Sequence, residues 1–96
     1  MVDDLLGKYV VIRTYSAGVH CGTLKSLNGK EAILTNARRI WSWKGAFTLS
    51  AVAQNGILDG KLTLPVLEIY LSEAIEVILC SDKSKRILQT FKEHKP

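Results

Sequence analysis

The segment Arg38-Arg39-Ile40-Trp41-Ser42-Trp43-Lys44 holds the densest chemistry in the chain. Indole rings offer flat faces on which a base stacks, and guanidinium forks grip a phosphate through paired hydrogen bonds. That combination suits a nucleotide. Tyr15, Ser16 and His20 lie in or beside a short turn at Ser16-Ala17-Gly18, and would add hydroxyl and imidazole donors if that turn sits near the tryptophans. Arg13 would add charge neutralisation. The rival account is packing. In a chain with seven aromatic residues, two tryptophans are first a source of core area, and ion pairs with Glu31 or Glu73 can take up the arginines. One tryptophan is more easily buried than both.

Other chemistry is harder to assemble. The chain has two histidines and no G-x-x-x-x-G-K-[ST] phosphate loop. His20 adjoins Cys21, but neighbours on a strand point to opposite faces, which defeats the bond that would activate the thiol. His94 falls in the C-terminal tail. Glu68, Glu73 and Glu76 have no histidine nearby and read as a solvated rim rather than as acid–base groups or metal ligands. Cys21 and Cys80 are too few and too far apart for a disulfide scaffold or a metal knuckle, and read as free core thiols. The expectation is a non-enzymatic protein with no metal and no cofactor.

The elements that must position the arginine–tryptophan segment are mostly strands. Tyr9 to Thr14 is apolar on both faces apart from Arg13, as in an interior strand covered twice. Val19 to Leu27 and Lys30 to Asn36 flank Asn28-Gly29, a dipeptide suited to a type I′ hairpin. That turn pairs Leu24 with Ile33, Ser26 with Glu31 and Gly22 with Thr35. In a following strand, Ala37 to Trp43, alternation places Arg39, Trp41 and Trp43 on one face and Arg38, Ile40 and Ser42 on the other.

A short helix at about 48–55 has Thr48 as its cap, Gly56 at its end and a staple between Phe47 and Val52. Asp59-Gly60 marks a turn, and Pro65 breaks Lys61 to Leu71 or confines it to an edge. Ala74 to Cys80 reads as a last buried strand. Ser81 caps a helix at about 82–93, with Ile87, Leu88 and Phe91 on one stripe. The fold class is therefore mainly β (α+β): a strongly bent antiparallel sheet or small, partly open SH3-like barrel, with the last helix packed outside or reaching a neighbour.

A length of 96 residues allows one domain, spanning 1–96, whose small core would gain from pairing with copies of itself, so a homo-oligomer is expected. No apolar run is long enough to span a bilayer, and Met1-Val2-Asp3-Asp4 lacks a secretory peptide's cationic start, which points to the cytoplasm. The net charge of +4 is concentrated at one end. Residues 82–96 hold five Lys/Arg against two Asp/Glu, while 1–81 hold eight against seven. A basic terminal helix or tail of this kind is more often a solvated face than a phosphate grip.

Four segments carry a resemblance to known proteins: Val11 to His20, Gly22-Thr23-Leu24, Asn36 to Ala46 and Leu71 to Ile78. Together they resemble a family of small bacteriophage and prophage proteins of unassigned function. That family's pattern runs R-T-Y-S-A-G-V-H, then G-x-L, then A-R-R-I-W-x-W-x-G-A, then L-T-E-A-I-E-I-I. This chain departs from it in Cys21 and in a longer, more basic end.

The resemblance implies a phage accessory protein in the cytoplasm of an infected bacterium. The expected role is counter-defence, by sequestering a nucleotide-type ligand, of which a cyclic nucleotide immune signal is one form. Arg13, Tyr15, Ser16, His20, Arg38, Arg39, Trp41 and Trp43 would bind it. The alternatives are an inhibitor of a host or defence protein and a nucleic-acid-binding accessory protein.

Overall fold

The computed structural model describes residues 2–46 and 48–94. In chain order, β1 (Tyr9–Thr14), β2 (Val19–Asn28), β3 (Glu31–Lys44), α1 (Leu49–Asn55), β4 (Asp59–Leu62), β5 (Val66–Leu71), β6 (Ala74–Leu79) and α2 (Asp82–Thr90) follow a 3-10 turn at Val2–Leu5. The strands form one antiparallel sheet in the order β4-β3-β2-β1-β6, with β5 also paired to β3.

β1 is apolar on both faces because each face enters a different core. Tyr9 and Val11 join Cys21, Ile40 and Leu62 in one cluster, which α1 covers with Val52 and Ala53 and α2 with Leu88. Val10 and Ile12 join Leu24, Ala32, Leu34, Ala37, Leu71 and Ala74 in a second cluster. No helical residue is among those buried members. The sheet instead curls over them, giving a strongly bent half-barrel.

The curl depends on β3. One fourteen-residue strand replaces the two expected from the sequence. It pairs with β2 along one edge, while its other edge takes β5 at Ala32–Ala37 and β4 at Ile40–Lys44. Asn36, at a φ of 49°, lies where the β2–β3 register shifts, so the strand bulges there and continues. Asp59 and Gly60 open β4 rather than making a turn. Thr63 to Pro65 separate β4 from β5, the break expected at Pro65.

The β2–β3 hairpin forms, with a corrected register. Asn28 pairs with Glu31, Leu27 with Ala32, Leu24 with Leu34 and Thr23 with Thr35. Gly29, at a φ of 61°, is the only residue in the turn with positive φ. A type I′ turn centred on Asn28-Gly29 needs two such residues. Centring on Gly29-Lys30 needs only the glycine, which is the type II′ pattern. A second correction concerns β6, which pairs with β1 alone and has only Ala74 buried, so it is an edge strand rather than a buried one.

Both helix caps form as expected. Thr48 Oγ1 accepts from the Ala51 amide at 3.1 Å, and Ser81 Oγ from the Ser84 amide at 3.1 Å. The Phe47–Val52 staple lies outside the described residues. α2 stops at Thr90, with Ile87, Leu88 and Phe91 on the first cluster. Ser84 Oγ ties it to α1 by donating to Val52 O at 2.7 Å. Ser81 Oγ also donates to Gln54 O at 2.5 Å, so Ser81→Ala removes a cap and an inter-helix bond together. The expected loss is about 1–2 kcal/mol, read as a lower urea midpoint at unchanged slope.

Candidate functional site

Alternation along β3 separates the two arginines. Arg38 faces inward and is 3% exposed, whereas Arg39 faces out. Arg38 Nε donates to Thr63 O at 2.7 Å, and its Nη1 donates to Leu88 O at 2.8 Å and Phe91 O at 2.5 Å. The carbonyls in the last turn of a helix lack intrahelical partners, so Arg38 caps α2 from the sheet. Its bonds are to the protein's own backbone, and it is not among the residues that line the cleft described below.

Arg39 lies over a glycine. A Cβ on Gly18, which has a φ of 85°, would meet Arg39 Nη2 at 3.0 Å and Nε at 3.1 Å, so the bare backbone is what lets the guanidinium lie this close. The guanidinium carbon is also 5.9 Å from the centre of the Trp41 ring, within cation–π range. Among the described residues no carboxylate pairs with Arg39. Trp41 is 65% exposed.

The two tryptophans divide. Between Ile40 and Ser42 the β3–β4 register shifts by one residue, which brings Trp43 opposite Gly60. Trp43 then packs against the cluster that contains Ile40, and its Nε1 donates to Ala46 O at 3.2 Å. The bulge breaks the strict alternation that had put Trp43 on the Trp41 face. Gly18, Val19, Arg39, Ile40, Trp41 and Trp43 together line an open cleft of about 270 Å³.

Of the eight candidate residues, Arg39, Trp41 and Trp43 reach this cleft. Arg13 Nε instead donates to Glu76 Oε1 at 2.8 Å, and Ser16 Oγ donates to Glu73. Tyr15 stands exposed on the turn, outside the cleft wall. The remaining rim carboxylate, Glu68, holds Lys25 at 2.8 Å. Sequence reasoning missed Gly18 and Val19 as lining residues; Gly18 had appeared only as a turn former.

His20 is buried between its strand partners Ile12 and Arg39. Its Nε2 lies 2.9 Å from Ala17 O, which only accepts, so Nε2 carries the proton and the imidazole steadies the turn that presents Gly18. Nδ1 meets no hydrogen-bond partner among the described residues. Burial lowers the His20 pKa below its ordinary 6.5, the Arg39 charge lowers it further, and the Ala17 bond partly opposes both. A depressed pKa favours the folded state above about pH 6.5, and that advantage is lost as pH falls. The urea midpoint is therefore expected to drop between pH 7.5 and pH 5, and the drop should be smaller in His20→Gln.

Cys21 and His20 diverge, as strand neighbours must. Cys21 Sγ accepts from Tyr9 Oη at 3.3 Å inside the helix-covered core. Burial pushes its thiol up to about 11 and that of Cys80 to about 12, so both stay protonated at neutral pH. No helix of the described residues is long and apolar enough to cross a membrane.

Residues 7–88 match a family described as a domain of unknown function, DUF6948. The chain belongs to that family. No curated protein matches it significantly. The DUF6948 segment takes in the cleft, Arg38 and nearly all of α2, and stops short of His94.

His94 is the residue whose placement was least foreseeable. Its amide donates to Leu62 O at 2.8 Å, and Glu93 forms a parallel bridge with Leu62, so the end of the DUF6948 chain returns along β4. His94 thereby shares a second hollow with Trp41, Leu62 and Thr63. No motif marks this, because it depends on where α2 ends.

Proposed function

We propose that this DUF6948 chain is a non-enzymatic binding protein that takes a nucleotide-type ligand at the Arg39–Trp41 cleft. In this reading it is a phage accessory protein that sequesters a nucleotide signal in the infected bacterium. The observation that carries the proposal is an arginine that, among the described residues, has no carboxylate partner, and that lies against Gly18 and within cation–π range of an exposed indole at the wall of a cleft. A base would stack on Trp41 while its phosphate met Arg39. No bond need be broken.

The cleft is open to solvent, and a second copy of the chain would close it. A second reading, inhibition of a host or defence protein, is favoured by Leu64, Leu67 and Tyr70, exposed along and beside β5.

Native mass spectrometry of the protein, alone and mixed with linear and cyclic nucleotides, tests both readings. A defined oligomer carrying stoichiometric nucleotide supports sequestration. Absence of a bound mass across the panel overturns it and moves the weight to a protein target.

A further inference from the structure

Beyond Trp41 the surface turns strongly basic. Ser42, Lys44, Asp59, Gly60, Lys61, Lys92 and His94 line a groove of about 340 Å³ at the β3–β4 end of the sheet. The β3–β4 pairing sets Lys44 opposite Asp59 and Lys61 opposite Ser42. The returning tail supplies Lys92 and His94, fixed by the His94–Leu62 backbone bond. Three lysines thus border one hollow, and among the described residues none is in a salt bridge with a carboxylate. Asp59, the one acid in the wall, accepts from the Gly60 amide. Like charges gathered this way repel one another unless an anion lies among them.

The groove is continuous with the proposed base site through shared residues. Trp41 borders both the cleft and the hollow with Leu62 and Thr63, and His94 borders both that hollow and the basic groove. At about 3.3 Å per residue the backbone run from Arg39 to Lys44 spans roughly 16 Å, and the cleft and the basic groove share no lining residue, so Arg39 and the lysines are placed to meet different parts of one ligand.

We infer that Lys44, Lys61, Lys92 and His94 form a second phosphate subsite, so the ligand stacked on Trp41 carries at least two phosphate groups along this track. The inference rests on the Trp41 reading and specifies its ligand class. Either a phosphodiester-linked chain of nucleotides or the polyphosphate of one nucleotide supplies that chemistry.

Titrations of the full chain with a nucleoside monophosphate, the matching triphosphate and linear di- to tetranucleotides test it. Binding would be followed by tryptophan fluorescence. The expected result is at least a tenfold gain over the monophosphate, in the triphosphate arm for polyphosphate or in the oligonucleotide arm for a phosphodiester chain. That gain should shrink in Lys44→Gln, Lys61→Gln and Lys92→Gln and survive in Lys92→Arg. In the oligonucleotide arm the salt slope should fall by about 0.7 for each phosphate that a substitution leaves unneutralised. Equal affinity for every ligand, or a gain untouched by the lysine substitutions, overturns the subsite and leaves the Trp41 cleft standing. No binding by any ligand overturns both.

Discussion

Arg38→Ala is expected to destabilise the fold by about 3–5 kcal/mol, because one largely buried side chain donates to three backbone carbonyls. Thr63, Leu88 and Phe91 would each keep a desolvated oxygen or draw water into the core. Leu88 O and Phe91 O also lie at the negative end of the α2 dipole, where a fixed cation is favourable. Lysine would recover only part of the loss, since an ammonium group lacks the planar fork that reaches three acceptors from one position. Arg38→Met, which keeps the stem's packing, separates the effect of the missing hydrogen bonds from that of the missing apolar stem.

Equilibrium urea unfolding of the three variants gives the order, and hydrogen exchange at the His94 amide reports whether the returning tail is released with the clamp. Loss of protection there is expected in Arg38→Ala. A stability within about 0.5 kcal/mol of the parent, the range of an ordinary surface substitution, would show that the clamp is not structural.

The Arg38 clamp also shows where the sequence could be read and where it could not. Local signals were enough for both helix caps, the break at Pro65 and the double burial of β1, because the deciding residues lie within a few positions of each other. The opposition of Arg38 and Arg39 follows from alternation alone. Trp43 escaped because a single extra residue in β3 shifts every side chain beyond it, and nothing in the sequence around Trp41 announces a bulge. The hairpin register escaped for a related reason: moving the turn by one residue costs nothing when only the glycine needs positive φ.

The basic groove was the least legible feature. It joins Lys44 to Lys92 through hydrogen bonds from Arg38 to residues about fifty positions away, so the charges at the end of the chain read as a solvated tail until that docking is known.

Trp41→Ala should do the reverse of Arg38→Ala, sparing the fold and removing the ligand. With most of its surface in solvent, Trp41 contributes little core area, so stability is expected within about 0.5 kcal/mol of the parent. Stacking of a base on an aromatic face is worth about 1–3 kcal/mol, so nucleotide affinity should fall roughly 5- to 150-fold by calorimetric titration. Trp41→Phe keeps a smaller face and should fall in between. Arg39→Ala should lose affinity as well, and the salt dependence of binding should flatten with it, which stacking alone does not do.

Trp43→Ala is the contrast, because Trp43 packs on the first core cluster and should weaken stability and binding together. The separation between the two tryptophans is what distinguishes a ligand cleft from a patch of core that happens to reach the surface. If Trp41→Ala binds nucleotide as the parent does, the base does not stack there, and the exposed indole belongs to a protein interface.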